Sequence, residues 1–376
     1  MNKKKDNSNL MMTLLKGRTL FVLIILFIFF SIKADSFCTV NSLLLVCKHV
    51  AQYGILGIGM TYVIITGGID LSVGSVVGLV GMIAGGLIQE GLTLKFAGVT
   101  LYFSVPAITV ICIIIGIIIG IVNGALIAKC KLAPFIVTLG TMYIGRGLAN
   151  IRSGGNTFSS IKGQEALGNV GIMQFDSRVF AVGGFPGIPI AAILFLILAV
   201  IAAFVLKKTP FGWHILAIGG NEKAARLSGI KVEKNIILVY AISGACSALI
   251  GLVTMAQIAA SHPNTGDTWE MNAIAAVVLG GTSMAGGVGT IGGTVIGAFV
   301  IGIINDGMTM CGVSEFWQKV IKGLVIILAV LRRAPAGHVQ FSVLPCSLPL
   351  TFQQSCCRRG RGTCAWARTR PAYVRP

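Results

Sequence analysis

The sequence predicts an all-α membrane protein, a polytopic bundle of about ten transmembrane helices. Composition is the first ground: of 376 residues, 55 % are hydrophobic and 11 % charged, with a mean hydropathy of +0.87. A soluble domain is about a quarter charged. This chain lacks the polar side chains to cover a water-facing surface, which excludes a soluble enzyme. The second ground is the 49 glycines, close to double the usual share of roughly 7 %. Small residues at that density suit close helix packing in lipid. The third is a series of charge-free runs, each near or above the ~20 residues that a helix needs to span the hydrocarbon core.

Residues 1–18 form a cytoplasmic N-terminal segment carrying Lys3–Lys5, Lys16 and Arg18, and Thr19–Ser31 is the first helix. No small-x-small cleavage site follows it, only Ile32-Lys33-Ala34-Asp35, so the helix is expected to be retained. The runs His49–Ile69, Leu71–Gln89, Phe96–Ala128, Val179–Leu206, Asn235–Gly266 and Met271–Asn305 contain no charged residue. Met271–Asn305 is too long for one helix and reads as two, broken near Gly280–Gly287. Leu132–Ile151, with Arg146 inside it, and Phe316–Leu331, with Lys319 and Lys322, complete the set. The membrane domain is therefore 19–331.

Loop charges orient the bundle. Lys129 and Lys131, then Lys207, Lys208, Lys223, Arg226, Lys231 and Lys234, fall on the side of the N-terminus. Lys33, Lys95, Arg152, Lys162 and Arg178 fall opposite, diluted by Asp35, Glu90, Glu165, Asp176, Asp267 and Glu270. The bias fits an even number of spans with both termini in the cytoplasm. The net charge is +18, but the basic residues lie between apolar runs instead of on one folded surface. Nucleic acid is not an expected partner; membrane lipid is.

Residues 332–376 break the pattern, with eight Arg and no Lys, Asp or Glu. They read as an unstructured, frame-shifted or read-through tail, the alternative being a segment that binds anionic lipid. Six of the ten cysteines are scattered through the spans and four lie in the tail. None has CxxC spacing, and no metal site is expected.

Gly116-Gly120-Gly124, Gly289-Gly293-Gly297, Ser243-Ser247-Gly251, Gly74-Gly78 and Gly81-Gly85 repeat a small-xxx-small pattern. They fit tight packing within the bundle or dimerisation between chains. Gly67-Gly68-Ile69-Asp70-Leu71-Ser72-Val73-Gly74 and Gly280-Gly281-Thr282-Ser283-Met284-Ala285-Gly286-Gly287 resemble each other, each where one helix gives way to the next. They read either as unwound backbone lining a polar path, as in transporters with repeated halves, or as tight turns in which Asp70 and Ser72 cap the next helix. Asp70, Ser72, Asn123, Thr282 and Ser283 are the candidates for a path or gate. Thr138, Thr141, Asn272 and Asn305 lie at similar depth, and each of these neutral groups serves equally to hold helices together. The external Trp269 and Glu270 are candidates for docking a soluble protein, in a segment that is equally an ordinary exposed loop.

The cytoplasmic loop 207–234 carries the most information. Asn221, Glu222, Ala224 and Ala225 spell an N-capped short helix, with Gly229 as its stop. Its small alanines permit close contact with a groove on a partner, while Glu222 and Arg226 form a charged rim.

Ala224-Ala225-x-x-x-Gly229 resembles the coupling motif of ABC importer permeases, although Lys223 here separates the glutamate from the alanines. Gly68-Ile69-Asp70-Leu71-Ser72-Val73-Gly74, Ala224-Ala225-Arg226-Leu227-Ser228-Gly229-Ile230 and Ala275-Ala276-Val277-Val278-Leu279-Gly280-Gly281-Thr282-Ser283 closely resemble the ribose/monosaccharide members of the branched-chain amino acid/sugar permease family. The resemblance covers about residues 20–331 and not the tail. It implies a permease domain that works as a dimer, with a second copy or a paralogue. An ABC ATPase subunit would engage Asn221–Gly229, and an extracytoplasmic sugar-binding protein would dock opposite. It also implies a monosaccharide substrate, a pentose or a hexose, with nucleosides, branched-chain amino acids and signalling sugars as related alternatives.

The chain has no G-x-x-x-x-G-K-[ST], so ATP and Mg are expected on the partner, and no catalytic residue is expected here. An ion-coupled secondary transporter would use intramembrane Asp, Glu or His, for which Asp70 and Asp306 are the few candidates. A membrane-embedded enzyme would need a clustered constellation that His49, His214, His262 and His338 do not form.

Overall fold

The computed structural model describes residues 18–94, 98–181 and 186–331. Lys3–Lys5, Lys16, Lys95 and the 332–376 tail lie outside the described residues. Twelve helices are described: α1 (Arg18–Lys33), α2 (Val40–Ile65), α3 (Val73–Gln89), α4 (Val105–Ala128), α5 (Pro134–Ser153), α6 (Ile190–Lys208), α7 (Pro210–Gly220), α8 (Glu222–Leu227), α9 (Val232–Ile258), α10 (Trp269–Gly280), α11 (Ile291–Met310) and α12 (Glu315–Leu331). Five of them, α2, α4, α6, α9 and α11, are long and apolar enough to cross a membrane. α3 and α10 are apolar but shorter.

Local chemistry sets the helix ends. The Thr39 side chain accepts from Ser42 N at the start of α2, and Thr290 does the same from Gly293 N at the start of α11. Proline opens α5 and α7, where a missing N–H costs nothing. α5 stops at Gly154, which adopts φ +63°.

The sidedness of the helices is that of a protein in lipid. α4 and α6 are the most apolar, yet they expose Ile114, Ile118, Val122, Leu196, Val200 and Phe204. The glycine-bearing and polar α2, α9 and α11 are mostly buried. Water would favour the reverse order. The fold is that of a multi-pass integral membrane protein.

The small-residue stripes are spent within the chain. A Cβ at Gly116 or Gly120 would run into the backbone of Gly244 and Tyr240 on α9, and one at Gly124 would lie 2.6 Å from Ile237 Cα. Gly293 and Gly297 meet the α10 carbonyls of Gly280 and Ala276. Gly251 approaches Val77 O of α3. Dimerisation is not needed to explain these stripes.

Connections gather at two ends. At one, Asn169 donates to Ile88 O at 2.8 Å, Arg152 pairs with Glu90 at 2.7 Å, and β3 (Phe158–Ser159) pairs antiparallel with β6 (Ala260–Ser261). At the other lie the α2–α3 and α10–α11 breaks, the α4–α5 turn and the loop containing α7 and α8. Three expected boundaries move. Phe96 lies outside the described residues, and α4 and α6 begin only after short antiparallel pairs, β1 (Leu92–Leu94) with β2 (Val99–Leu101) and β4 (Arg178–Val179) with β5 (Ile188–Pro189). Absence of charge does not distinguish a hairpin from a helix. α2 starts well before His49 and includes Lys48, whose ammonium is neutralised by Asp176.

Candidate functional site

The first break, 66–72, closes on a buried polar junction. Asp70 Oδ1 accepts from Ser72 N at 3.0 Å and from Ser72 Oγ at 2.6 Å, and its Oδ2 accepts from Ser243 Oγ of α9 at 2.7 Å. Asn123 Nδ2 of α4 donates to Ser72 Oγ at 3.0 Å, and Thr141 Oγ1 of α5 donates to Asn123 Oδ1 at 2.5 Å. Thr138 and Tyr240 donate to Ile69 O at 3.3 and 3.4 Å. Asp70, Ser72 and Asn123 thus come together and tie the break to three helices. Ser72 makes no capping bond to α3, its hydroxyl being used sideways, whereas Asp70 accepts from Ser72 N in the turn that leads into the helix.

Thr282 and Ser283 do not join this junction. They shape the second break, where Ser283 N donates to Val288 O at 2.9 Å and Ser283 Oγ accepts from Ala285 N at 3.2 Å. The two breaks meet through backbone instead: Gly287 N donates to Ile65 O at 2.8 Å. Gly219 of α7 packs against that bond so tightly that a Cβ would strike Ile65 O and Gly287 N. Gly286 and Gly287 hold φ +84° and +73°, the left-handed region that suits glycine. Sequence reasoning passed over Gly219 and Tyr240. For Gly219 the available signal was the Gly219-Gly220 pair directly before a helix cap.

α8 follows immediately. Asn221 Oδ1 accepts from Ala224 N at 3.0 Å, Ile230 N returns to Ala225 O at 3.1 Å, and Gly229 takes φ +82°. Arg226 pairs with Glu222 at 3.2 Å and with Glu233 at 2.5 Å, and its hydrogen bond to Glu233 helps raise its already high pKa. The two alanines part company: Ala225 is buried with Ile218 and Val232, whereas Ala224 is exposed beside Leu227, which is 90 % exposed. A cavity of about 580 Å³ opens next to α8. Thr66, Gly67, Lys131, Glu222, Arg226 and Tyr240 contribute to its lining.

The segment expected outside is folded in. After α9 ends at Ala259 (φ +54°), the chain turns down along α3, with Ser261 against Gly85, Thr265 O near Gly78 and Gly266 O near Gly74. α10 therefore starts deep in the bundle and needs only 12 residues, about 18 Å. Glu270 is 7 % exposed, and Trp269 is partly buried with its ring edge-on to Tyr53 at 6.0 Å. The exposed docking surface expected of these two residues is absent, because the segment bearing them re-enters the bundle. Arg146 holds it there, Nη1 donating to Pro263 O at 2.7 Å and Thr265 O at 2.9 Å. Arg146→Met removes two charge-assisted bonds worth roughly 1.5–3 kcal/mol each. The expected results are a lower unfolding temperature of the purified protein and faster thiol labelling of a cysteine introduced at Thr265.

These features define a multi-pass helical membrane protein whose two broken regions are hinged together beside a capped surface helix. Residues 42–330 match the family described as branched-chain amino acid transport system / permease component. The chain belongs to that family. It is 43 % identical to the ribose import permease protein RbsC of Bacillus subtilis, across 82 % of this chain and 89 % of that one. It is 36 % identical to RbsC of Haemophilus influenzae (87 % and 96 % covered). It is 33 % identical to the xylose transport system permease protein XylH of the same organism (83 % and 94 % covered). No solved structure matches significantly. The chain is a transport permease component, not an enzyme.

Proposed function

We propose that this chain is the membrane subunit of an ATP-binding-cassette importer for a monosaccharide, a pentose such as ribose or xylose. Ten spans, α1–α6 and α9–α12, bring both termini and the α7–α8 loop to the cytoplasmic face of a bacterial inner membrane. The Lys129–Lys131 and Lys207–Lys234 charges support that orientation. An ATPase subunit, which carries ATP and Mg, engages α8. A sugar-binding protein docks at the opposite end, and a second permease copy or a paralogue completes the assembly.

The observation that carries this reading is the link between a partner-facing helix and both breaks. Ala224 and Leu227 are exposed on α8, and Gly219, three residues before Glu222, is wedged against the backbone bond joining the breaks. Movement of α8 with a nucleotide-driven partner reaches the path through that contact. Biasing the two orientations from 1:99 to 99:1 takes about 5.5 kcal/mol of differential binding.

Leu227→Asp tests the reading. In proteoliposomes containing the ATPase and the sugar-binding protein, the variant is expected to lose ATP-driven D-ribose uptake by tenfold or more and to lose the co-purifying ATPase. It should retain wild-type thermal stability, since Leu227 touches nothing that holds the fold. Unchanged uptake would remove α8 from the coupling route.

A further inference from the structure

The lipid-facing side of α6 continues past its last apolar residue. Ile197, Val200, Ile201 and Phe204 are each more than half exposed and recur at the three- and four-residue spacing of one helix face. Lys207 and Lys208 follow at the same spacing and are also exposed, whereas Leu206 beside them is buried. They stand one turn, about 5 Å, beyond Phe204. Among the described residues no ion pair includes either lysine.

The chain then turns sharply into α7. Thr209 Oγ1 accepts from Gly212 N at 3.4 Å, and a Cβ at Gly212 would strike Leu206 O in the last turn of α6. Phe211 faces inward, its ring 6.0 Å from that of Tyr62 on α2, and the Tyr62 hydroxyl donates to Ala202 O of α6 at 2.8 Å. Trp213, two residues on, is 64 % exposed. Packing therefore fixes the corner between α6 and α7 from within, while Lys207, Lys208 and Trp213 are left uncovered by the chain.

The chemistry of what covers them follows from their place. Tryptophan has an apolar body and one N–H donor, which suits the boundary between hydrocarbon and water. A lysine ammonium offers three donors and no acceptor, so two of them without carboxylates call for an anion rich in oxygen. At the end of a lipid-facing stripe, that anion is the phosphate of a phospholipid. A headgroup of net negative charge is favoured over a zwitterionic one, whose own ammonium repels the lysines. A soluble anion would leave Phe204 and Trp213 bare, whereas acyl chains cover them.

We propose that Lys207, Lys208 and Trp213 form a binding site for the headgroup of an anionic phospholipid, in the leaflet on the side of α8, with its acyl chains along Phe204 and the stripe beyond. The site requires only that the chain lies in a bilayer and does not rest on the sugar-permease reading.

The test reads Trp213 fluorescence in the full-length chain reconstituted into mixed phosphatidylcholine and phosphatidylglycerol vesicles of one fixed composition. In one sample the phosphatidylglycerol carries bromine on its acyl chains; in the other an equal amount of the phosphatidylcholine does. Bromine quenches tryptophan on contact. The chain has four Trp, so the Trp213 contribution is the difference from Trp213→Phe. Brominated phosphatidylglycerol is expected to quench that contribution about twofold or more beyond brominated phosphatidylcholine. In the double variant Lys207→Gln/Lys208→Gln the two lipids should quench it equally. Lys129, Lys131, Lys223, Lys231 and Lys234 remain in that variant, so a preference set only by the overall charge of this face would survive it. Equal quenching in the wild type, or a preference that persists in the double variant, overturns the site. Quenching of Trp213 by neither lipid also overturns it and gives the corner to a soluble partner.

Discussion

Gly120→Leu is expected to prevent assembly of a stable, detergent-extractable protein. The reason lies in where the side chain would go. On α4 the Gly120 position faces the α9 backbone, where the first added carbon meets Tyr240 O and comes within 2.8 Å of Ala241 Cα. Neither atom belongs to a side chain that can rotate away. Gly116 faces Gly244 one turn earlier and Gly124 faces Ile237 one turn later, so the helices cannot part at one position without losing contact at three. Overpacking costs roughly 1–3 kcal/mol in cores that can relax; a rigid backbone seam stands at or above the top of that range. Lipid supplies no hydrophobic drive to re-seat the helices. Gly147→Leu on α5 is the matched control, because nothing lies within 4 Å of the added carbon. Fluorescence-detected size-exclusion chromatography with a thermal ramp should show Gly120→Leu aggregated and Gly147→Leu close to wild type. A monodisperse Gly120→Leu protein with an unchanged transition would mean that the α4–α9 contact is not close.

That contrast marks what could be read from the sequence. The glycine stripe on α4 is visible in the spacing 116, 120, 124, but its register on α9 is not, since only Gly116 meets small residues, Gly244 and Ala248, while Gly120 and Gly124 meet the backbone at Tyr240 and Ile237. The α8 helix was fully legible, because a cap at Asn221 and a left-handed stop at Gly229 are local chemistry. The break near Gly280–Gly287 was legible because the charge-free run Met271–Asn305 is too long for one helix. The descent of residues 261–267 along α3 was not. His262 to Glu270 is rich in polar residues, which is the composition of an external loop, and only the distant Arg146 shows that its carbonyls have partners inside. The His49–Asp306 pair was hidden for a different reason: 257 positions separate the two residues, and each alone reads as a residue near a helix end.

Asp70 gives the sharpest separation between a structural carboxylate and a working one. Asp70→Ala is expected to abolish stable expression, because it strips the acceptor from Ser72 N, Ser72 Oγ and Ser243 Oγ at once. Unmet, each costs about 1–3 kcal/mol in a buried site. Asp70→Asn is expected to keep uptake within about threefold of wild type. Its oxygen can still accept both bonds from Ser72, and its amide can donate to Ser243 Oγ, a hydroxyl that accepts as readily as it donates. No ion pair among the described residues includes Asp70, so removal of its charge strands no cation. An ion-driven carrier would behave oppositely, since a carboxylate in a proton or sodium relay cannot be replaced by an amide. Uptake of D-ribose by Asp70→Asn proteoliposomes, with ATP present and no ion gradient, decides between them. Retained uptake makes Asp70 the tie that holds the first break to α4, α5 and α9. Loss of uptake in a protein of normal thermal stability would give the carboxylate a part in the transport cycle that hydrogen bonding alone does not supply.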